Sequence, residues 1–514
     1  KIRGGRMIYE FQSDMKIDDE ILKAELGGNG DVQLKNIVRT IQKEQNAIIR
    51  NTKDRIMVIQ GSAGSGKTSI ALHRIAYLLY HDRKNLKSSD VLILSPNSVF
   101  SDYISHILPE LGEENIQEMS FDLFAYRELR DTIRDCHDRY DEIELELQGI
   151  TQEQKKRLEE KQSETFVSQT EGFLALLEDE LMTFHDVEFR GLTLTENELI
   201  HLFYFKFQEI PLLSRMDAVM EYFIDEYETL HDCTLSEEDL DTISRKFQKL
   251  YVTRDLYKIY NKFLEENGYP TLPDVPQEKR VLAYEDVYPL LYLKYRLCRV
   301  RDHKNIKHLV IDEMQDYSYL QYLILRQMFN CRMTILGDRA QTMEEQTQDV
   351  LEFLPGIFGK DIRKIILNKS YRNTVEIAEY ANRTAGIRDM EIFQRHGKEV
   401  EEKVLDGKEA AAEEIRRNLN LGPQGYETAA LLTMSEEEAL KVYEYLKKTG
   451  IQASYVDRNS SSFKKGLTVT TFYLAKGLEF DQVFVLARRK KTPLLIQAEY
   501  ICATRALHEL YVYQ

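Results

Sequence analysis

The stretch GSAGSGKT at residues 61–68 is the strongest fold signal in the chain, because it fits the phosphate-loop pattern G-x-x-x-x-G-K-[ST] at every fixed position. An apolar run, IMVI at residues 56–59, precedes it, and a helical pattern begins near Ile70. A glycine-rich turn between a strand and a helix directs backbone N–H groups toward an anion. The sequence therefore predicts a nucleotide-binding loop within an α/β fold.

Two side chains define the chemistry expected at this loop. Lys67 would reach the β- and γ-phosphates, and the hydroxyl of Thr68 would hold Mg²⁺. We therefore predict ATP and Mg²⁺ as cofactors. The residues expected to contact the nucleotide here are Gly61, Ser62, Ala63, Gly64, Ser65, Gly66, Lys67, Thr68 and Ser69.

A second apolar run, LVI at residues 309–311, ends in the carboxylates of Asp312 and Glu313. A carboxylate after such a strand completes the Mg²⁺ shell of a phosphate-loop ATPase, and the next one can polarise the attacking water. We assign Asp312 the metal role and Glu313 the general-base role. A D-E pair after an apolar run is common, and it becomes specific only together with the phosphate loop.

Size and composition indicate a multidomain protein. The 514 residues exceed what one hydrophobic core usually serves, so about two to four domains are expected. No apolar run reaches the length of a membrane span, no signal-peptide pattern opens the chain, and the first residue is Lys1, which suggests a fragment. Scattered cysteines without a C-x-x-C argue for a reducing cytoplasm and against zinc. They are Cys136, Cys233, Cys298, Cys331 and Cys502.

The net charge of −17 is concentrated in one segment. Residues 121–300 hold 39 of the 86 acidic and 22 of the 69 basic side chains, and the remainder of the chain is neutral. Helical apolar periodicity and alternating charges run from about Phe121 to Tyr269, and a proline-containing linker follows. We predict an acidic helical insertion at 121–280. An elaborated part of the same domain with an ordinary acidic surface is the alternative.

Further motifs, in a fixed order, resemble those of the UvrD/Rep group of superfamily 1 helicases. DEMQD at 312–316 is similar to the D-E-x-Q-D motif of that group. The other matching stretches are IQKEQ at 41–45, HRIA at 73–76, GDRAQ at 337–341, LNKSYR at 367–372, AKGLEF at 475–480 and YICATRA at 500–506. An isolated arginine after a tyrosine is usually a surface or packing residue, but seven ordered motifs favour the helicase interpretation.

The resemblance implies a role for each matched residue, as follows. Gln45 would read the adenine edge, Arg74 would pack at the base, Tyr371 would stack on it, Glu479 would contact the ribose or γ-phosphate region, Gln341 would sense the γ-phosphate, and Arg372 and Arg505 would supply catalytic arginines. Arginines far from the phosphate loop in sequence are expected if a second lobe contributes them across a cleft. Hydrolysis would then depend on closure of the lobes.

The predicted architecture is α/β, with two RecA-like phosphate-loop lobes built on parallel sheets and a mostly helical insertion in the first. Residues 33–120 and 281–365 would form lobe 1A, and residues 366–514 lobe 2A. Residues 1–32 look like the remnant of an N-terminal domain.

Two departures from the processive DNA helicases are visible. Only about a hundred residues separate LNKSYR at 367–372 from AKGLEF at 475–480, too few for the large domain that UvrD and Rep insert there. SPNSVF at 95–100 replaces T-F-T-N-K-A, and Tyr473-Leu474 replaces H-S before A-K-G. Both changes weaken the case for a conventional single-strand track.

The same departures resemble the HelD family of RNA polymerase-associated ATPases. The likeness covers roughly 33–125 and 281–514, including SPN at 95–97 and CATRAL at 502–507. We expect a fragment that lacks the N-terminal coiled-coil arm of that family. The resemblance implies a monomeric, cytoplasmic, ATP-hydrolysing factor that binds core RNA polymerase and promotes its release from nucleic acid, with DNA as a further partner and no membrane.

Two other functions stay open on the sequence. One is a 3′–5′ single-stranded DNA translocase or repair helicase, whose hydrolysis DNA would stimulate strongly. The other is a binding factor in which nucleotide acts only as a conformational switch.

Overall fold

The computed structural model describes residues 2–3, 6–7, 43–96, 116–299, 303–342, 349–367, 369–387, 391–458, 460 and 465–514. Several predicted features lie outside the described residues. They are most of the N-terminal remnant at 1–32, Ile41 and Gln42 of the IQKEQ stretch, the residues from Asn97 to Phe100, and Asn368.

The strands of the described residues are numbered in chain order. They are β1 Ile2–Arg3, β2 Arg6–Met7, β3 Ile56–Gly61, β4 Val91–Leu94, β5 Gln117–Met119, β6 Asp135–Cys136, β7 Val187–Phe189, β8 Leu192–Leu194, β9 Val281–Leu282, β10 His308–Ile311, β11 Arg332–Gly337, β12 Ile362–Leu367, β13 Lys369–Ser370, β14 Glu391–Ile392, β15 Glu401–Lys403, β16 Thr428–Thr433, β17 Ser454–Tyr455, β18 Gly466–Thr471, β19 Phe480–Leu486 and β20 Ala506–Tyr513.

The α-helices are numbered in the same way. They are α1 Lys67–His81, α2 Phe121–Leu129, α3 Arg139–Gln148, α4 Gln152–Lys161, α5 Glu164–Glu180, α6 Glu196–His201, α7 Leu212–His231, α8 Glu237–Gln248, α9 Leu256–Glu266, α10 Tyr284–Leu297, α11 Tyr319–Met328, α12 Val350–Phe358, α13 Val375–Ala385, α14 Gly407–Asn418, α15 Glu436–Lys448 and α16 Pro493–Thr504. Residues 43–49 are also helical, and they precede α1.

The first six-stranded sheet has the order β12-β3-β11-β10-β4-β5, and all its neighbouring strands are parallel. Its central strands are short apolar runs that are buried along their length, as expected for a parallel sheet covered on both faces. The core between the sheet and α1 contains Met57, Ile70, Leu79 and Val310. This packing fixes the end of β3, where the phosphate loop begins.

The second six-stranded sheet has the order β15-β20-β19-β16-β18-β17 and is also parallel throughout. Its core includes Leu431, Val469 and Phe484, packed with Ile415 of α14 and Leu446 of α15. Two parallel sheets flanked by helices confirm the predicted α/β fold class of RecA-like lobes.

The chain divides into two compact units. Unit 1 comprises Lys1–Phe121, Lys304–Tyr317 and Phe329–Gln514, and it contains both six-stranded sheets. Unit 2 comprises Asp122–His303 and Ser318–Met328, and it is mostly helical. Helices α10 and α11 belong to unit 2, although they lie beyond the predicted insertion at 121–280. The predicted domain boundaries stay a prediction.

Side-chain caps fix where the helices of unit 2 begin. Asp138 accepts from the Asp141 N–H, Thr151 from Gln154 and Thr195 from Glu198, and in each case the third residue returns a bond to the cap. Such reciprocal caps satisfy N–H groups that lack partners within the helix. Some acidic residues of unit 2 therefore serve its helix ends.

Tyrosine hydroxyls that donate to carboxylates connect the helices inside unit 2. The pairs are Tyr260 with Asp286, Tyr288 with Asp122, Tyr292 with Glu171 and Tyr295 with Glu128. Burial raises the pKa of Tyr260, Tyr292 and Tyr295, so each remains a neutral donor. Some of the carboxylates of this unit therefore accept hydrogen bonds from its own tyrosines.

Among the described residues, no helix combines the length and the apolar character that crossing a bilayer requires.

His308, at the start of β10, makes the stability of unit 1 sensitive to acid. Its side chain is buried, its Nε2 lies 3.0 Å from Thr334 Oγ1, and burial lowers its pKa to about 3. Between about pH 3 and 6.5 the unfolded chain binds a proton that the native state does not, so stability falls as the pH falls through this window. At pH 5 the loss is about 2 kcal/mol relative to pH 7.5.

The variant His308→Gln should lose this acid sensitivity. Urea unfolding at pH 7.5 and 5.0 would measure it, with His81→Gln as control because His81 is exposed. An equal acid loss in the His308 variant and the wild type would contradict the assignment.

Candidate nucleotide-binding site

The loop after β3 has space only for glycine at its two turning points. Gly64 and Gly66 have φ values of 71° and 79°, and α1 begins directly after Gly66. A Cβ on Gly66 would lie 2.1 Å from the hydroxyl of Tyr371, and one on Gly64 would lie 2.8 Å from Oδ1 of Asn373. Residues 371–373 therefore lie so close to the loop that a side chain at Gly64 or Gly66 would collide with them.

The charged and polar groups of the loop fit an anionic ligand. Lys67 Nζ donates to the carbonyl oxygens of Gly61 at 2.8 Å and Ser62 at 2.9 Å. The hydroxyl oxygens of Ser62 and Ser65 are buried, and neither has a hydrogen-bond partner within the part of the chain that the structure describes. The first turn of the 15-residue α1, with Thr68 half-buried on it, offers further N–H donors.

The two carboxylates after β10 are held in a fixed and unusual geometry. Glu313 is buried and has a left-handed backbone, with φ 53° and ψ 46°. This left-handed conformation costs any residue other than glycine roughly 1–2 kcal/mol. Gln315 Nε2 donates to Glu313 Oε2 at 2.6 Å, and the Asp312 N–H donates to the carbonyl of Leu94. Residues whose strained backbone conformation is held in place by many surrounding contacts occur often at functional sites.

The same two carboxylates differ in their ionisation. Burial, with the negative charge of Glu313, raises the pKa of Asp312. Burial also acts to raise the pKa of Glu313, but the charge of Lys476, the hydrogen bond from Gln315 and the charges of Arg505 and Lys67 outweigh it and lower that pKa. Glu313 is thus the carboxylate that stays ionised, as a general base requires.

Asp338 and Gln341 lie next to these carboxylates, after β11. The Asp338 N–H donates to Gln315 Oε1 at 2.9 Å, and Gln341 Nε2 donates to Asp338 Oδ2 at 2.9 Å. Asp338 Oδ2 also lies 3.9 Å from Lys67 Nζ. Burial raises the pKa of Asp338, while the charge of Lys67 opposes the shift. Asp338 connects Lys67 to Gln341, a function that the sequence analysis did not assign.

Arg505, which precedes strand β20 of the second sheet, reaches the cluster formed by Asp338 and Gln341. It follows α16, is buried, and donates from Nη2 to Gln341 Oε1 at 2.9 Å. Its other donors bind the carbonyl oxygens of Ile501 and Leu478. The two residues that the sequence placed in different lobes are therefore in direct contact.

Lys476 is the most deeply buried charge of the site, and the sequence analysis missed its importance. It has no exposed surface, and its Nζ donates to Asp316 Oδ2 and, at 2.7 Å, to the carbonyl of Gln341. Glu313 Oε2 lies 3.8 Å away. A lysine inside the AKGLEF stretch gives no burial signal by itself, because lysine is usually exposed.

Two further predicted residues pair with one another. Arg372 forms an ion pair with Glu479, and both side chains are part-exposed. Tyr371 is buried, its N–H donates to the carbonyl of Gly64, and its hydroxyl accepts from Gln45 Nε2 at 3.1 Å. Gln45 and Tyr371 thus lie above the loop, whereas the guanidinium of Arg372 points to Glu479.

Arg74 does not face the loop. Its side chain is buried, and its guanidinium binds backbone carbonyls at the end of the helical residues 43–49. Ser69, in the first turn of α1, lies 3.4 Å from His73 Nδ1. The individual roles of the predicted residues stay predictions.

A phosphate loop, a carboxylate pair and an arginine from a second parallel sheet define a phosphate-loop nucleotide hydrolase with two sheets. The family model of the UvrD/REP helicase N-terminal domain matches residues 41–343. This match spans more than half of the chain, and the chain therefore belongs to the UvrD/REP helicase family. Family membership makes it an NTP-hydrolysing, helicase-like enzyme of superfamily 1, a group that generally uses ATP with Mg²⁺ and acts on nucleic acid.

One solved structure adds a short local likeness. It is the C-terminal domain of a possible DNA helicase from Lactobacillus plantarum WCFS1, with 25% identity, 28% of this chain and 86% of that chain covered, and a TM-score of 0.24. No curated protein matches the chain.

Replacing Lys476 with methionine should destabilise unit 1 by about 3–5 kcal/mol, because it leaves the buried carboxylate of Glu313 and the part-buried carboxylate of Asp316 without this cation. Adding Asp316→Asn should restore part of the loss. Urea unfolding at pH 7.5 would measure both. In the control Lys465→Met, a pair with Glu427 is lost at a site where the lysine is 79% exposed, so a change below about 1 kcal/mol is expected. Equal losses in Lys476→Met and Lys465→Met would refute the buried-cation interpretation.

Proposed function

We propose that this chain hydrolyses ATP where its two parallel sheets meet, and that it uses the reaction to act on RNA polymerase. The observation that supports hydrolysis best is the contact of Arg505 with Gln341, because it joins a basic residue of the second sheet to the polar cluster beside the phosphate loop. An arginine that stabilises charge on a transferring phosphoryl group is worth 10³-fold or more in rate.

In this proposal Lys67 and the N–H groups of the loop bind the β- and γ-phosphates. Glu313 accepts the proton of the attacking water, with Gln315 and Lys476 fixing its position. Gln341 senses the γ-phosphate, and Arg505 and Arg372 offset its developing charge. For Arg372 this requires exchanging Glu479 for the phosphate. Gln45 and Tyr371 would hold the adenine.

The donor set also fits Mg²⁺. A hydroxyl from Thr68 and a carboxylate from Asp312 are the hard oxygen ligands that this ion prefers, and the ion would neutralise charge on the phosphates. The hydroxyls of Ser62 and Ser65, which are buried and have no hydrogen-bond partner among the described residues, support a polar ligand at this loop.

Glu313→Gln should lower kcat for ATP by about 10²–10⁴-fold and leave the Kd for ATP nearly unchanged, because a general base acts only on the chemical step. Steady-state phosphate release and fluorescent-nucleotide titration would measure the two. Glu352→Gln is the matched control, because Glu352 is exposed on α12. Full activity in Glu313→Gln would refute the assignment. A Glu313→Gln protein that hydrolyses poorly but still performs its cellular task would favour the switch function.

The support for RNA polymerase as the target is the resemblance to the HelD family together with the surface of unit 2. Residues 185–241 hold 15 acidic and 3 basic side chains, so most of the charge excess of the unit lies there. Glu188, Glu221 and Asp225 are exposed, whereas the carboxylates between Asp138 and Glu146 are only part-exposed. A dense negative surface would compete with nucleic acid for the basic clefts of a polymerase.

The family match favours a second candidate function, a single-stranded DNA translocase. Size-exclusion chromatography of the protein with core RNA polymerase, in the presence of excess single-stranded DNA, separates the two. A complex that survives the DNA supports the polymerase function. A protein that runs with the DNA instead, with DNA-stimulated hydrolysis that falls steeply with salt, supports the translocase.

Reversing Glu188, Glu221 and Asp225 to lysine should raise the Kd for core polymerase about tenfold at low salt, and less at high salt because exposed charges are screened. Fluorescence anisotropy at two salt concentrations would measure this.

The matched control reverses Glu265, Asp274 and Glu278, which are exposed in the same unit but outside the 185–241 segment. An equal effect of both triple variants would show that only net charge matters and would count against a defined acidic surface.

A further inference from the structure

Arg74 lies in the second half of α1, two turns beyond the phosphate loop, and is 2% exposed. Its Nη1 donates to the carbonyl oxygen of Ile48 at 2.8 Å and to that of Asn51 at 2.5 Å. Its Nε donates to Thr334 Oγ1 at 3.2 Å. The guanidinium is therefore occupied by protein groups on two sides.

The two carbonyls that Arg74 binds belong to the end of the helical residues 43–49 and the turn that follows. The last carbonyls of a helix have no partner within the helix, and a cation placed there satisfies them and complements the helix dipole. Burial lowers the pKa of Arg74 to about 10, with Asp54 opposing the shift, so the side chain remains charged near neutral pH. Arg74 thus holds this helix by a charged cap against the central strand β11.

Gln45 is on the same helix, one turn before Ile48. Its Nε2 donates to the hydroxyl of Tyr371 at 3.1 Å and would lie 3.2 Å from a Cβ on Gly66. The side chains of Ile48 and Ile49, at the end of the helix, attach it to the core of the first sheet, but apolar contacts have no directional preference and fix the rotation of the helix about its axis only weakly. The polar cap from Arg74 supplies the missing restraint.

We propose that Arg74 is a positioning residue that sets the orientation of Gln45, and that it thereby determines how tightly the protein holds the base of its nucleotide. Because Arg74 is buried and its guanidinium donates to Ile48, Asn51 and Thr334, it offers no free face on which a base could stack, and its influence on the base passes through the helix. The inference rests on the proposed ATP-binding function and concerns the same site.

The test is a double-mutant cycle of Arg74→Lys and Gln45→Ala, read as Kd for ATP and for inorganic tripolyphosphate, which has no base. Lysine keeps the charge but cannot span two carbonyls and a hydroxyl. Each single variant should weaken ATP about tenfold, and the double variant should be no weaker than about twice the worse single variant. The Kd for tripolyphosphate should stay within about twofold in all three.

A second measurement follows the helix itself. Hydrogen exchange of the amides in residues 43–50 should be faster in Arg74→Lys and unchanged in Gln45→Ala. Arg280→Lys is the matched control, because Arg280 is another buried arginine that donates to backbone carbonyls, those of Thr132 and Val275 in unit 2. It should leave ATP and tripolyphosphate binding unchanged.

Three results would overturn the inference. Equal weakening of ATP and tripolyphosphate in Arg74→Lys would make the residue a support of the loop as a whole. If the Kd for ATP of the double variant rose by the product of the two single effects, Arg74 and Gln45 would act independently. A wild-type protein that binds neither ligand would overturn the proposed function and this inference with it, whereas the first two results overturn the inference alone.

Discussion

The geometry of the site depends on one ammonium group in a place that water does not reach. Lys476, from the second sheet, is surrounded by Asp316, Glu313 and the carbonyl of Gln341 after strands of the first. Burying such an ion is costly unless every partner is present. The two sheets must therefore approach in one register, since a small shift would leave a cation and two carboxylates without partners.

Close approach imposes a second constraint at the phosphate loop. The backbone at Gly64 and Gly66 is within a side chain's reach of residues 370–373, which precede α13. Glycine there serves two needs, the left-handed turn and the space under Tyr371. The loop pattern in the sequence therefore reflects packing between chain segments as well as phosphate binding.

The sequence predicted the parts whose signal is local. The strand before GSAGSGKT, the carboxylates after LVI and the order of the later motifs are readable because short apolar runs and glycine patterns depend on near neighbours. The burial of Lys476 depends on Asp316 and Gln341, which are 160 and 135 positions away in sequence, and the carbonyl cap made by Arg74 joins residues 26 positions apart. The left-handed backbone of Glu313 belongs to the same packed cluster as Lys476. Propensity and periodicity carry no information about such contacts.

The strand order of the first sheet has a consequence for how the protein is made. Strand β3 pairs with β11 and β12, and β4 pairs with β10 and β5, so the two strands that are synthesised first do not pair with each other. Strand β3, which carries the loop, cannot pair until β11 and β12 have been synthesised more than 270 residues later. The intervening helices can already collapse during that time. Arg505 is made later still. In the proposed mechanism, a nascent chain that stalls before Arg505 hydrolyses nucleotide poorly, because the arginine that would stabilise the transferring phosphoryl group has not yet been made.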